Sequence, residues 1–81
     1  MSEVTDQIEK IGRAIWPAVS SALGGQPTPI QGAALADLTA RWLAGHVIRG
    51  DPVETAALRE TLLDLQLRTI RELIPLHEPP A

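Results

Sequence analysis

Two short signatures constrain this 81-residue chain more than any other feature: Thr28-Pro29-Ile30-Gln31 and Asp51-Pro52-Val53-Glu54. Each signature has a residue that favours the helix N-cap, then a proline at the first helical position, then Gln or Glu three residues after the cap. A helix is therefore expected to begin at each signature, and the stretch before Thr28 has the apolar spacing of another. The sequence predicts an all-α fold, packed as a three-helix bundle.

The first predicted helix begins between Ser2 and Asp6 and ends at the Gly24-Gly25 pair. Its apolar residues recur at spacings of four, three and four and form a row that should face a core: Val4, Ile8, Ile11 and Ile15. Pro17 is irregular, because its ring removes a backbone hydrogen bond and restricts Trp16. Either the helix kinks at Pro17 or it breaks into two short helices. The apolar spacing continues past the proline, which favours the kink.

The second predicted helix runs from Thr28, as N-cap, to Arg49, with Gly50 in the left-handed position after it. An earlier end at Gly45 is the alternative. On a helical wheel this segment is apolar on two sides, with only narrow polar seams between them: Leu35, Leu38 and Trp42 on one side, and Leu43, Val47, Ala36, Ala40 and Ala44 on the other. A helix with this pattern is expected to be covered on both sides.

The third predicted helix begins at Pro52 and ends near Ile74, before Pro75. We expect a single domain over residues 1–75 and a disordered tail over 76–81. Two apolar stripes follow this helix: Leu58, Leu62, Leu65 and Leu73, and then Leu63, Leu67, Ile70 and Ile74. The opposite face is charged, and the spacing predicts the ion pairs Asp64–Arg68 and Arg68–Glu72 on a solvated surface.

Composition excludes several classes of protein. The chain has no cysteine, so disulfides and thiolate metal sites are excluded. Its net charge of -3 argues against nucleic acid as a partner. Charged residues near the N-terminus argue against a signal peptide, and no uncharged run is long enough to span a bilayer. The expected location is cytoplasmic, with no membrane partner.

The chain lacks the residue patterns of a catalytic or cofactor site. Its glycines have neither phosphate-loop nor dinucleotide-binding spacing, and no metal-binding motif is present. His46 is interpreted as a capping or seam histidine rather than an acid–base group. Trp16 and Trp42 fit helical apolar faces, which favours core or interface roles. The sequence therefore predicts no enzyme activity, no cofactor and no metal.

Excess apolar surface on the second and third helices predicts a symmetric homodimer. The stripes of the third helix sweep an arc of roughly 200° at 100° per residue, more than one copy of the first helix covers. The expected interface residues are Leu63, Leu67, Ile70 and Ile74. The predicted function is a small helical interaction or assembly module, an accessory or regulatory subunit that acts as a homo-oligomer. Two alternatives remain open: a ligand- or peptide-binding module with a groove near Trp16 and Trp42 and, more weakly, a DNA-binding regulator.

Overall fold

The computed structural model describes residues 3–79 and divides the chain into two compact units, Met1–Ala34 and Leu35–Ala81. Three α-helices make up the described residues: α1 (Glu3–Leu23), α2 (Thr28–Ala44) and α3 (Pro52–His77). No strand occurs between residues 3 and 79. The all-α fold with three helices is therefore confirmed. The packing of a bundle, the kink in α1 and the symmetric dimer stay predictions.

α1 belongs to the first unit and is a single helix that continues through Pro17. The alternative of two short helices is therefore wrong. At the end of α1, the N–H of Gly24 donates to the carbonyl oxygen of Ser20 at 3.0 Å. Gly25 follows with φ 78°, a left-handed conformation that a residue without Cβ adopts at no steric cost. The Gly24-Gly25 pair ends α1 as the sequence predicts.

α2 starts one residue earlier than its signature suggests. The carbonyl oxygen of Pro27 accepts the N–H groups of Ile30 and Gln31, both at 3.0 Å, so Pro27 holds the cap position. Thr28 is the first helical residue, and the prediction of a Thr28 cap is wrong. The amide of Gln31 does not reach back to Thr28 either: its Nε2 donates to the carbonyl oxygen of Leu23 at 3.0 Å. This bond ties the end of α1 to the first turn of α2.

α2 ends at Ala44, so the predicted end at Arg49 is wrong and the alternative at Gly45 is correct. A side chain of α3 caps this end. Arg59 donates from Nη2 to the carbonyl oxygen of Ala44 at 2.9 Å and from Nε to that of His46 at 3.1 Å. These bonds satisfy carbonyl groups that a longer helix would have paired internally. Gly50 does have the expected positive φ, 76°, but in the connection to α3.

The start of α3 confirms its signature. Asp51 is the N-cap, and its Oδ1 accepts the N–H of Glu54 at 2.9 Å. Pro52 occupies the first helical position, where its missing N–H has no intrahelical partner to lose.

The end of α3 differs from the prediction. The helix continues through Pro75 to His77 instead of ending near Ile74. Pro75 lies in the last turn, so it costs one hydrogen bond at an end that has few bonds left to lose. Leu76 and His77, assigned by prediction to a disordered tail over 76–81, are helical. Residues 80–81 of that predicted tail lie outside the described residues.

Within the second unit, the last part of α2 and α3 form an antiparallel helical hairpin. Side-chain hydrogen bonds connect the two sides: Thr55 with Ile48, Arg59 with Ala44, and Gln66 with Thr39. Residue numbers rise along α3 as those of its partners fall, which gives the antiparallel direction. The hairpin determines which face of α3 is covered within the second unit.

Candidate functional site

One face of α3 is turned to the rest of the hairpin, and we call it the inner face. Its members are buried or half-buried: Thr55, Leu58, Arg59, Leu62, Gln66 and Leu73. Thr55 is the one buried residue between positions 3 and 79, with 8% of its surface exposed. Its hydroxyl oxygen accepts the N–H of Ile48 at 3.0 Å and donates to the carbonyl oxygen of Asp51 at 2.8 Å. The inner face therefore uses polar groups to hold the connection between the helices.

Gln66 differs from the other polar residues of the inner face, because only one end of its amide group is hydrogen-bonded. Its Nε2 donates to Oγ1 of Thr39 at 3.3 Å, and that hydroxyl group donates to the carbonyl oxygen of Leu35 at 3.2 Å. The Oε1 atom of Gln66 is buried and accepts no hydrogen bond. A buried acceptor without a donor costs free energy, because it has lost its water and gained nothing in return.

The predicted interface residues form a second face of α3, which we call the α3 stripe: Leu63, Leu67, Ile70 and Ile74. At 100° per residue, the centre of the stripe lies about 100° around the helix from the centre of the inner face. Leu63 is half-buried, whereas Leu67 and Ile70 are each 44% exposed and Ile74 is 54% exposed. The structure thus leaves a continuous apolar stripe beside the inner face, open to solvent over most of its length.

Charged and titratable side chains border the α3 stripe. Glu60 and His77 continue its row at the two ends, and Asp64 and Arg71 follow its outer edge; all four are exposed. Ion pairs in the described part of the chain occur only on the other two helices, as Glu9–Arg13 and Asp37–Arg41. The predicted pairs Asp64–Arg68 and Arg68–Glu72 therefore do not form. The charges along the stripe remain available to another molecule.

An open apolar groove of about 430 Å³ lies at the C-terminal end of the stripe. Its lining comes from the last turns of α3 and the two residues beyond them: Ile70, Leu73, Ile74, His77, Glu78 and Pro79. The surface is apolar except at its rim, so it suits an aliphatic side chain better than a polar ligand.

The two tryptophans belong to different units, Trp16 to the first and Trp42 to the second. Trp42 is 47% exposed, and its ring meets that of His46 edge to face, with centroids 5.0 Å apart. Nδ1 of His46 lies 2.8 Å from the carbonyl oxygen of Trp42, which agrees with a capping role for this histidine. Trp16 is exposed on α1. A groove that uses both indole rings stays a prediction.

The apolar row of α1 also lies open. All residues from 3 to 18 are exposed, including each member of the row that the sequence places against a core: Val4, Ile8, Ile11 and Ile15. The first unit by itself therefore does not cover this row. In proteins most of the stability of a helix comes from packing of its amphipathic face, so this row needs a covering surface.

No three His, Asp or Glu side chains between residues 3 and 79 come together as a metal site requires. Over the same residues, no helix is both long enough and apolar enough to cross a bilayer. Comparisons with protein-family models, with curated proteins and with solved structures found no match. The surfaces of the chain itself are therefore the basis for a functional proposal.

Proposed function

We propose that this chain is a small, non-enzymatic helical assembly module that acts as a homodimer through the α3 stripe. One observation carries the proposal: no apolar side chain between residues 3 and 79 is buried, although 44% of the sequence is hydrophobic. Burial of apolar surface supplies about 25 cal/mol per Å² and is the main driving force for folding. A chain this rich in aliphatic residues gains that free energy when a partner covers its apolar faces.

A second copy of the chain is the partner we favour. In a twofold arrangement the same patch on both copies is covered at once, and this is the commonest symmetry of homo-oligomers. The α3 stripe suits it, because Leu67, Ile70 and Ile74 form a straight exposed row on a long helix. Helical apolar rows of this spacing pair with one another in coiled coils and bundles.

The chemically versatile side chains of the second unit support a structural rather than a catalytic role. Thr55, Arg59 and His46 each bind backbone carbonyl groups of the chain itself. These contacts cap the end of α2 and fix the connection to α3. We therefore assign them to the architecture of the module and assign recognition to its apolar surface.

Analytical ultracentrifugation tests the proposal. We expect wild-type protein at about 100 µM to sediment as a dimer, a concentration that populates even a ~10 µM complex. Leu67→Glu combined with Ile70→Glu should give a monomer. The matched control is Leu65→Glu with Leu76→Glu, which places the same charges on exposed positions of α3 that face away from the stripe. The control should remain dimeric.

Circular dichroism separates loss of pairing from loss of folding. If the double Glu variant unfolds, Leu67→Ala with Ile70→Ala provides a milder change that should raise the dissociation constant while helicity persists. A monomeric wild type at this concentration overturns the proposal. So does a dimer that the control variant dissociates and the stripe variants leave intact.

A further inference from the structure

We infer that α3 pairs with α3 of the second copy in an antiparallel direction, with Leu67 opposite the partner's Ile70 and Leu63 opposite the partner's Ile74. This inference rests on the proposed function, because it specifies the geometry of the same interface. It also assigns a role to the charges that border the α3 stripe. They select the direction and register of pairing.

The spacing of the stripe is self-complementary. Its members follow one another at four, three and four residues, so the row has the same pattern when it is read backwards. Alternating spacings of three and four are those of the core positions of a coiled coil. Two antiparallel copies therefore form four apolar layers without any shift, and a C2 axis passes between the two central layers.

The ends of the row distinguish antiparallel from parallel pairing. Glu60 lies one step before Leu63, and His77 lies one step after Ile74, in the same row. Antiparallel pairing places Glu60 beside the partner's His77 at both ends of the stripe. Parallel pairing would place two glutamates face to face in one layer, and like charges in direct opposition are unfavourable.

The outer edge of the stripe leads to the same conclusion. Asp64 and Arg71 lie on this edge, one residue after core positions, where antiparallel coiled coils bring the corresponding residues of the two helices together. Asp64 then meets the partner's Arg71, and symmetry forms the pair twice. Both side chains are exposed, and neither has an ion-pair partner among the described residues.

Parallel pairing offers Asp64 no equivalent ion pair with the second copy. It would pair residues of the outer edge with residues of the inner edge, and Arg59 is the cation on the inner edge. The guanidinium group of Arg59 is already bound to the carbonyl oxygens of Ala44 and His46. In the antiparallel arrangement, the groove beside Ile74 receives the partner's Leu63.

Cysteine cross-linking reads the direction directly, because the chain contains no cysteine of its own. Glu60→Cys and His77→Cys are made as separate variants at exposed positions. Along a helix these positions are about 25 Å apart, whereas a disulfide requires Cα atoms roughly 4.4–6.8 Å apart. We expect a covalent dimer when the two variants are mixed and mildly oxidised. Neither variant should cross-link rapidly alone. Cross-linking of each variant with itself would overturn the inference in favour of parallel pairing.

Charge reversal tests the role of Asp64 and Arg71. Asp64→Arg and Arg71→Asp should each raise the dissociation constant by roughly tenfold, because each replaces two attractive contacts by repulsive ones. The double variant restores opposite charges and should return the dissociation constant to near its wild-type value. Arg68→Asp makes the same change of charge farther from the stripe, and we expect it to alter the constant by less than about threefold. Failure of the double variant to recover would overturn the pairing.

The outcomes separate this inference from the proposed function. A wild type that does not self-associate overturns both. A wild-type dimer that Leu67→Glu with Ile70→Glu dissociates supports the assembly function by itself. In that case, cross-links of the parallel pattern, or no cross-link in the mixture, overturn only the antiparallel geometry.

Discussion

Arg59 caps the end of α2: its Nη2 donates to the carbonyl oxygen of Ala44 at 2.9 Å, across the turn from α3. Its Nε donates to the carbonyl oxygen of His46 at 3.1 Å. One guanidinium group therefore donates to two carbonyl groups that lie beyond the last intrahelical hydrogen bonds. A positive charge at this position also interacts favourably with the negative end of the helix dipole. The end of one helix is thus capped by a residue of the next.

Replacing Arg59 should destabilise the hairpin. Arg59→Met keeps the apolar stem and removes both hydrogen bonds, and we expect a loss of about 2 kcal/mol in the free energy of unfolding. Arg59→Lys retains the charge but not the planar fork, so its loss should be intermediate. Urea denaturation followed by circular dichroism, at one fixed protomer concentration, measures both. Equal stability of Arg59→Met and wild type would contradict the cap.

The two cap signatures should respond differently to the same substitution. Asp51→Ala removes the bond from the N–H of Glu54 and should cost roughly 0.5–2 kcal/mol. Thr28→Ala should change stability by less than about 0.5 kcal/mol, because Pro27 holds the cap position of α2. Thermal and urea unfolding of the two variants provide the comparison. A similar loss at both positions would restore Thr28 as a cap.

Thr55 should be sensitive to loss of its hydroxyl group rather than its methyl group. Thr55→Val keeps the shape but leaves the N–H of Ile48 without its acceptor, and we expect a cost of about 1–3 kcal/mol. Thr55→Ser keeps the hydroxyl group and should lose less. The order of the two variants in urea midpoint is the measurement. A more stable Val variant would show that the hydroxyl contacts contribute nothing.

Gln66 is predicted to tolerate, and to benefit from, an apolar replacement. Gln66→Leu removes the buried Oε1 that has no donor and sacrifices one long hydrogen bond, so stability should rise by about 1 kcal/mol. Gln66→Glu keeps the shape, adds a charge in the same place and should lower stability. Unfolding midpoints at fixed protomer concentration decide the sign. A destabilised Leu variant would mean that Oε1 has a partner in the assembled protein.

The sequence predicted the features that local chemistry determines. Asp51 begins α3 because its carboxylate and the following proline suit the first turn whatever surrounds them. The end of α2 was predicted wrongly, because the apolar pattern continues through Val47 and carries no information about Arg59. That guanidinium group binds carbonyl groups that lie fifteen and thirteen residues before it in the sequence. The available signal for the end of α2 was Arg59, a basic residue one helical turn after Thr55. The direction in which its side chain points depends on the hairpin, which the sequence alone does not show.

The residues of the proposed interface could be identified from the sequence only in part. The spacing of Leu67, Ile70 and Ile74 identified the stripe, because helical periodicity is a local property. The role that we propose for the bordering charges was missed, since i,i+4 spacing favoured pairs such as Asp64–Arg68 within one helix. The pairing of Asp64 with a distant cation becomes a candidate only when those local pairs are absent and the stripe lies open. Charge positions beside an unpaired apolar row are the signal to look for.

The hydrogen bond between the Thr55 hydroxyl group and Ile48 joins two residues that are close in the sequence. The hydroxyl group binds the backbone seven residues before it, and closing a loop of this size takes roughly 10–100 ns. Contacts this short in sequence separation favour rapid folding, so the connection between α2 and α3 is suited to form first. Under the proposed assembly, the α3 stripe is covered only when two copies of the chain meet. Refolding should then proceed in a concentration-independent phase followed by a slower one that accelerates as protein is added.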